Sequence, residues 1–195
     1  FRRVLFRSIV TKELEKKIIK KIIKPTLKAL KNKKNSYTGF LYAGLMIKDN
    51  EPYLIEYNVR MGDPECQVIL PRLNTDLVKI LNYAASNQLK KIKINWKKEK
   101  CMTIVMCSKG YPGQHVNKKS IELDKLNLSK NSFIFHAGTK INNNKIISNG
   151  GRVLNITERG NNFLKMRNNI IKNIKNINWP YGFFRKDIGW RVINR

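Results

Sequence analysis

Acidic residues are scarce in this chain: 13 Asp and Glu stand against 40 Lys and Arg, for a formal net charge of +27 and a pI near 10.2. Cysteine and histidine are scarcer still. Cys66, Cys101 and Cys107 are odd in number and show no C-x-x-C spacing. That argues against a disulfide framework or a zinc site and for reduced thiols in a cytoplasmic protein. His115 and His136 lie far apart with no neighbouring Cys, so neither reads as a metal ligand. No apolar run approaches the roughly 20 residues that a membrane span requires. Nor does the N-terminus carry an apolar stretch with a small-residue cleavage site, so nothing points to a membrane or to secretion.

The shortage of acids leaves a basic surface that will bind polyanions in a salt-dependent way. The lysines are spread over every expected element, among many Asn and Ile. A dedicated nucleic-acid binder concentrates charge on one stripe or carries a recognisable motif. Zinc-finger spacing, an aromatic RNA-binding motif and a basic heptad array are all missing, so no specific nucleic-acid partner is expected. What is present is 42% hydrophobic content over 195 residues, enough for a core in one large or two small domains.

Residues 1–8 hold three arginines where the rest of the chain prefers lysine, and read as a non-native segment. Thr11 can cap a helix with Glu13 and Glu15 in its first turn and Leu14, Ile18 and Ile22 on one face. Pro25 kinks or restarts it. Gly39 to Ile47 reads as a strand, Lys48 to Pro52 as a turn, and Tyr53 to Arg60 as the antiparallel return strand. Thr75 or Asp76 opens a second helix, and a lysine-dense stretch from Ser86 to Lys100 reads as a connection. Strands are expected over Met102–Cys107, Ser132–His136 and Asn149–Ile156, and a helix from about Asn161.

The richest stretch is Tyr53-Leu-Ile-Glu-Tyr-Asn-Val-Arg-Met-Gly-Asp-Pro-Glu65. Strand side chains alternate, so Glu56, Asn58 and Arg60 are expected on one face and Ile55, Tyr57 and Val59 on the other. A carboxylate, an amide oxygen and a guanidinium so placed can hold Mg²⁺ and a polyphosphate together. The plainer alternative is an amphipathic strand with a wet polar face, although Glu and Asn are both poor strand formers.

Leu54-Ile-Glu-Tyr-Asn-Val-Arg60 followed by Gly62-Asp-Pro-Glu65 resembles the second metal-binding strand of ATP-grasp ligases, and more narrowly of the phosphoribosylamine–glycine ligase family. Five further segments match that family in order: Gly39-Phe-Leu-Tyr-Ala-Gly-Leu-Met46, Lys109-Gly-Tyr-Pro-Gly113, His136-Ala-Gly-Thr139, Gly150-Gly-Arg-Val-Leu154 and Arg185-Lys-Asp-Ile-Gly-Trp-Arg191. The resemblance implies an α+β fold. It places the C-terminal part of an ATP-grasp domain over residues 9–87, a linker over 88–100 and a small mixed, β-rich C-terminal domain over 101–195.

It also implies ATP as substrate with Mg²⁺ or Mn²⁺, and glycine and 5-phosphoribosylamine as the molecules joined. By the same resemblance Glu56 and Asn58 are metal ligands, and Arg60 is placed to contact nucleotide phosphate; Met46 reads either as part of an apolar wall for the nucleotide base or as a plain core methionine. Arg60, Asp63 and Glu65 serve catalysis. The stretch 40–48 lacks the metal-binding carboxylate that many ATP-grasp enzymes carry on the preceding strand, with Gly44 near its place. That departure favours the glycine-ligase branch over the biotin carboxylase branch. The family's enzymes are longer and begin with a Rossmann-like domain and a nucleotide-gripping half. This chain is therefore expected to be a C-terminal fragment, inactive alone, whose partner is the missing N-terminal part. The competing readings are another ATP-grasp ligase or carboxylase and, from a different class, a basic nucleic-acid-binding module. For the C-terminal glycine motifs, a cleft lining and a plain tight turn both stay open. His136 is either an acid–base group or the holder of a local hydrogen bond.

Overall fold

A computed structural model of the chain describes residues 10–33 and 36–193. The stretch 1–8, read above as non-native, lies outside them. Every strand pairing among the described residues is antiparallel, and helices cover the sheets, so the class is α+β as expected. Contacts divide the chain into two units. The first comprises the residues up to Asp63 with Asn74–Asn95, and the second Pro64–Leu73 with Trp96 onward.

In the first unit, Thr11 caps α1 (Lys12–Ile18), its hydroxyl accepting from Leu14 N at 3.1 Å. Glu13 and Glu15 occupy the first turn, where the helix dipole favours them. The helix does not stop at Pro25. It widens into a π-helical turn (Ile19–Ile23) and resumes as α2 (Lys24–Asn32) with the proline in its opening turn. A wide turn just upstream relieves the clash between the ring and the carbonyl four residues back.

Strands β1 (Tyr42–Lys48) and β2 (Glu51–Asn58) form a two-stranded sheet. Only Asp49 and Asn50 make the turn, both left-handed at φ 51° and 57°, the geometry that suits a two-residue hairpin. The helix runs against β2: Lys17 and Lys21 donate to Glu51 at 2.7 and 2.5 Å, and the Thr26 and Tyr57 hydroxyls meet at 2.6 Å. Further along, Asp76 caps α4 (Leu77–Ala85) by accepting from Lys79 N at 2.7 Å.

The second unit is built on β3 (Lys100–Ser108). It has short segments α3 (Cys66–Ile69) with a 3-10 turn (Leu70–Arg72), β4 (Ser120–Ile121), β5 (Ser132–His136), β6 (Thr139–Asn142) and β7 (Lys145–Ser148). After these come β8 (Arg152–Gly160), α5 (Phe163–Lys175), β9 (Gly182–Phe183) and α6 (Trp190–Ile193). The main sheet has the order β5-β8-β3-β9, and a smaller one β4-β7-β6. Cross-strand partners share a face, so Met102, Ile104 and Met106 line up with Glu158, Ile156 and Leu154. That face meets Met166, Ile170 and Ile174 of α5, and these side chains form the buried core. Trp179 and Ile177 close its lower edge.

The division into units runs differently from the 9–87, 88–100 and 101–195 split read from the sequence. Residues 64–73 pack with the second unit, where α3 lies against β3 and β8. Residues 88–95 stay with the first: Asn74 N donates to Asn95 O at 3.0 Å and Asn95 N to the Thr75 hydroxyl at 2.8 Å. The lysine-dense stretch is therefore pinned at both ends by backbone pairing, which its polar composition does not reveal. Among the described residues no helix is long and apolar enough to cross a membrane.

Candidate functional site

The register of the hairpin decides what the Glu56 face contains. Gly44 pairs with Glu56 and Tyr42 with Asn58, but Leu45 pairs with Leu54, so Ile55 is an extra residue at a β-bulge. Gly44 and Leu45 point to opposite faces, hence so do Glu56 and Leu54. Strict alternation along β2 would have put Leu54 beside Glu56. With the bulge, Glu56 and Asn58 instead share their face with Met46 and with Met46's partner Tyr53, both more than half exposed. Ile55 and Val59, expected on the opposite face, are 63% and 74% exposed, while the Tyr57 hydroxyl meets that of Thr26.

Glu56 and Asn58 stand together as the sequence implied. The Asn58 amide donates to Glu56 Oε1 at 2.9 Å on an exposed surface. Glu56 crosses the β1 backbone at Gly44, where an added Cβ would lie 3.0 Å from Glu56 Cγ. Any larger residue at 44 would push the carboxylate aside. This pair fits a hard divalent cation. Turning the Asn58 amide about its terminal bond puts its oxygen where the nitrogen now sits, 2.9 Å from the carboxylate. Two adjacent oxygens of an Mg²⁺ octahedron, each about 2.05 Å from the metal, stand about 2.9 Å apart. Which way an amide faces follows its partners. Among the described residues no group of three or more His, Cys, Asp or Glu is arranged for a metal. A cation here would take its remaining oxygens from substrate and water.

Arg60 departs from the expectation. β1 begins at Tyr42, with Gly39 at φ 146° and the Tyr37 hydroxyl holding Phe40 O at 2.5 Å just before it. Nothing is left on β1 to pair with residues 59 and 60, so β2 ends at Asn58. Arg60 lies in a bend beyond the strand and donates to the carbonyl of Met61 at 3.0 Å. Gly62 is buried and Asp63 exposed. Glu65 flanks α3 with helical φ and ψ, its carbonyl accepting from Val68 N and Ile69 N. Asp63 and Glu65 fall in different units of the contact division.

The C-terminal glycine motifs meet at one end of the main sheet. Ser108 donates from its backbone to Gly151 O and from its hydroxyl to Gly150 O, both at 2.8 Å. The Tyr111 ring lies on Gly151, where a Cβ would fall 2.2 Å from the ring. Close packing accounts for these glycines. His136 shares a hydrogen bond with the Thr139 hydroxyl at 3.1 Å, which is the local role considered for it. None of the three cysteines forms a disulfide; burial pushes the Cys101 thiol up to about 11 and raises Cys107 as well.

Two descriptions of one family match the chain. The phosphoribosylglycinamide synthetase ATP-grasp (A) domain matches residues 5–66, and the C domain of the same synthetase matches residues 101–191. The chain belongs to the phosphoribosylglycinamide synthetase family. It is 40% identical over 189 residues to a phosphoribosylamine–glycine ligase of Brucella melitensis, covering 96% of this chain and 44% of the relative. A chloroplastic phosphoribosylamine–glycine ligase of Arabidopsis thaliana is 40% identical over 194 residues, with 36% of its length covered. The crystal structure of phosphoribosylamine–glycine ligase from Thermotoga maritima superposes with a TM-score of 0.70 at 28% identity, over 87% of this chain and 41% of that one. The chain thus spans less than half the length of these synthetase relatives. Within the family frame, Tyr53 on the Glu56 face and the half-buried Arg159 escaped the sequence reading. The bulge hides the first, and the second shows only in tertiary contacts.

Proposed function

We propose that this chain is the metal-gripping and C-terminal part of a phosphoribosylamine–glycine ligase, which joins glycine to 5-phosphoribosylamine at the expense of ATP. In that reaction a glycine carboxylate oxygen attacks the γ-phosphorus and the bond to the β-phosphate breaks, releasing ADP. The amine nitrogen of 5-phosphoribosylamine then attacks the carbonyl carbon of glycyl phosphate. Phosphate leaves, the nitrogen gives up a proton, and glycinamide ribonucleotide results. Bringing a carboxylate to a polyphosphate requires neutralising crowded negative charge. Glu56 and Asn58 would hold a divalent cation, Mg²⁺ or Mn²⁺, through their side-chain oxygens, and such an ion would supply that neutralisation.

Arg60, in its bend, swings from the Met61 carbonyl to a phosphate oxygen as a planar donor fork. Met46 and Tyr53 supply apolar surface beside the pair, suited to a nucleotide base. Asp63 and Glu65 lie on the turn beyond, at the acceptor end, and orient glycine and the amine. The upstream part that the longer relatives possess grips the nucleotide, so these 195 residues alone are expected to be inactive. Three cysteines outside any disulfide favour a cytoplasmic setting.

One observation carries this reading: an exposed carboxylate and amide 2.9 Å apart above a glycine. In the full-length enzyme, Glu56→Ala should lower glycine-dependent ADP release by about 10³-fold while leaving the thermal midpoint unchanged. Wild-type turnover in that variant would refute the assignment. ADP release that answers bicarbonate but not glycine would move the chain to the carboxylase reading.

A further inference from the structure

Glu65 belongs to the second unit, near the head of the segment from Pro64 to Leu73, which forms an unbroken rod. Gln67 N donates to Pro64 O, Val68 N and Ile69 N to Glu65 O, Leu70 N to Cys66 O, and Leu73 N to Leu70 O. Such a rod spans about 10 Å and transmits the placement of its far end to its near end.

Arg159 of β8 grips the far end. Its Nη1 donates to Pro71 O at 3.0 Å, and its Nη2 donates to Asn131 Oδ1 at 3.0 Å. The guanidinium lies 5.9 Å from the Phe133 ring centre, with Glu99 Oε1 4.0 Å from Nε. The side chain is only 14% exposed. Arg72 and Lys97 reinforce the clamp: Arg72 Nε donates to Glu99 O and Lys97 N to Arg72 O, each at 2.8 Å. A charged fork this enclosed is costly to bury, and its aim is fixed from several sides.

We propose that Arg159 is a positioning residue for the acceptor end of the active site, acting through the 64–73 rod on Glu65, which lies in the same unit. The proposal rests on the ligase reading. Misplacing a catalytic loop by about 1 Å can cost 10²-fold in rate, so the effect should appear in kinetics and not only in stability. In the full-length enzyme, Arg159→Met should raise the KM for glycine about tenfold and leave the KM for ATP within about twofold. Arg159→Lys, which keeps a charge and one donor to Pro71 O, should recover most of that loss. Ile134→Ala, on the face that packs on α5, serves as a destabilised control whose glycine KM stays put.

An unchanged glycine KM in a folded Arg159→Met enzyme overturns the proposal. So does an equal rise in both KM values, or the same rise in the Ile134→Ala control. Should the methionine variant fail to fold, Arg159→Lys decides: a glycine KM identical to wild type overturns the proposal, and a rise of about threefold at constant ATP KM supports it. A wild-type enzyme with no glycine-dependent ADP release overturns the ligase reading itself, whereas each of the other failures leaves that reading standing.

Discussion

In the four-stranded sheet Ile104, Val153, Leu154 and Ile156 are no more than 1% exposed, while on the hairpin Met46, Tyr53, Ile55 and Val59 are all more than half exposed. Both sheets are antiparallel and both draw on the same apolar residue types. The main sheet has four strands, with α5 laid along one face to complete a core. The hairpin has two strands and partial cover from α1 and α2, and a two-stranded ribbon is marginal on its own. The second unit thus carries its own stability. The first presents its chemistry on a surface that its described residues leave largely uncovered.

The strongest way to break that contrast is to empty the core. Ile156→Ala should cost about 2–5 kcal/mol in urea denaturation, because a fully buried branched side chain leaves a cavity the sheet cannot collapse. A loss under about 1 kcal/mol would mean the main sheet is not the stabilising unit.

Titration separates the units next. Cys101 sits in β3 with its thiol raised from the ordinary 9.0 to about 11, first by burial, with Arg72 and Arg159 pulling the other way. The folded state holds the proton more tightly, so this contribution is intact below pH 9 and lost as pH rises toward 11. Glu51, on the hairpin, is shifted the other way by its hydrogen bonds from Lys17 and Lys21. Its contribution is present above the carboxylate range and lost as pH falls through its lowered value. Denaturation midpoints against pH should show Cys101→Ala flattening only the alkaline limb, whereas Glu51→Gln flattens the acid limb and, because Glu51 also raises the Lys17 pKa, the far alkaline end. A change in the acid limb of Cys101→Ala would contradict the division.

The smallest expected effect is Val59→Ala, within about 0.5 kcal/mol, because Val59 is 74% exposed and packs on little. A cost of 2 kcal/mol or more, of the order of a buried side chain, would show that the described residues do cover that face.

Several features were legible in the residues because they depend on near neighbours. Thr11 and Asp76 cap helices where a hydroxyl or carboxylate precedes a periodic apolar run. Glu56 and Asn58 meet because two residues along a strand always share a face unless a bulge falls between them, and here it falls just before them. Arg60 was misplaced for a non-local reason, since a strand lasts only as long as its partner does. The contacts group the rod at 64–73 with the second unit, which nothing in Pro64 to Leu73 states. The β6–β7 hairpin went unseen: its Asn143-Asn144 turn sits in a polar stretch with little alternation.

Residue order alone determined the chemistry available here, since side-chain type and two-residue spacing set which oxygens and cations can stand together. Tertiary structure decided which of them do. The bulge at Ile55 removes Leu54 from the Glu56 face, and Arg159 holds the Pro71 carbonyl from a strand 88 residues further along. Register and packing are sums over contacts distant in sequence, and no local pattern encodes those sums.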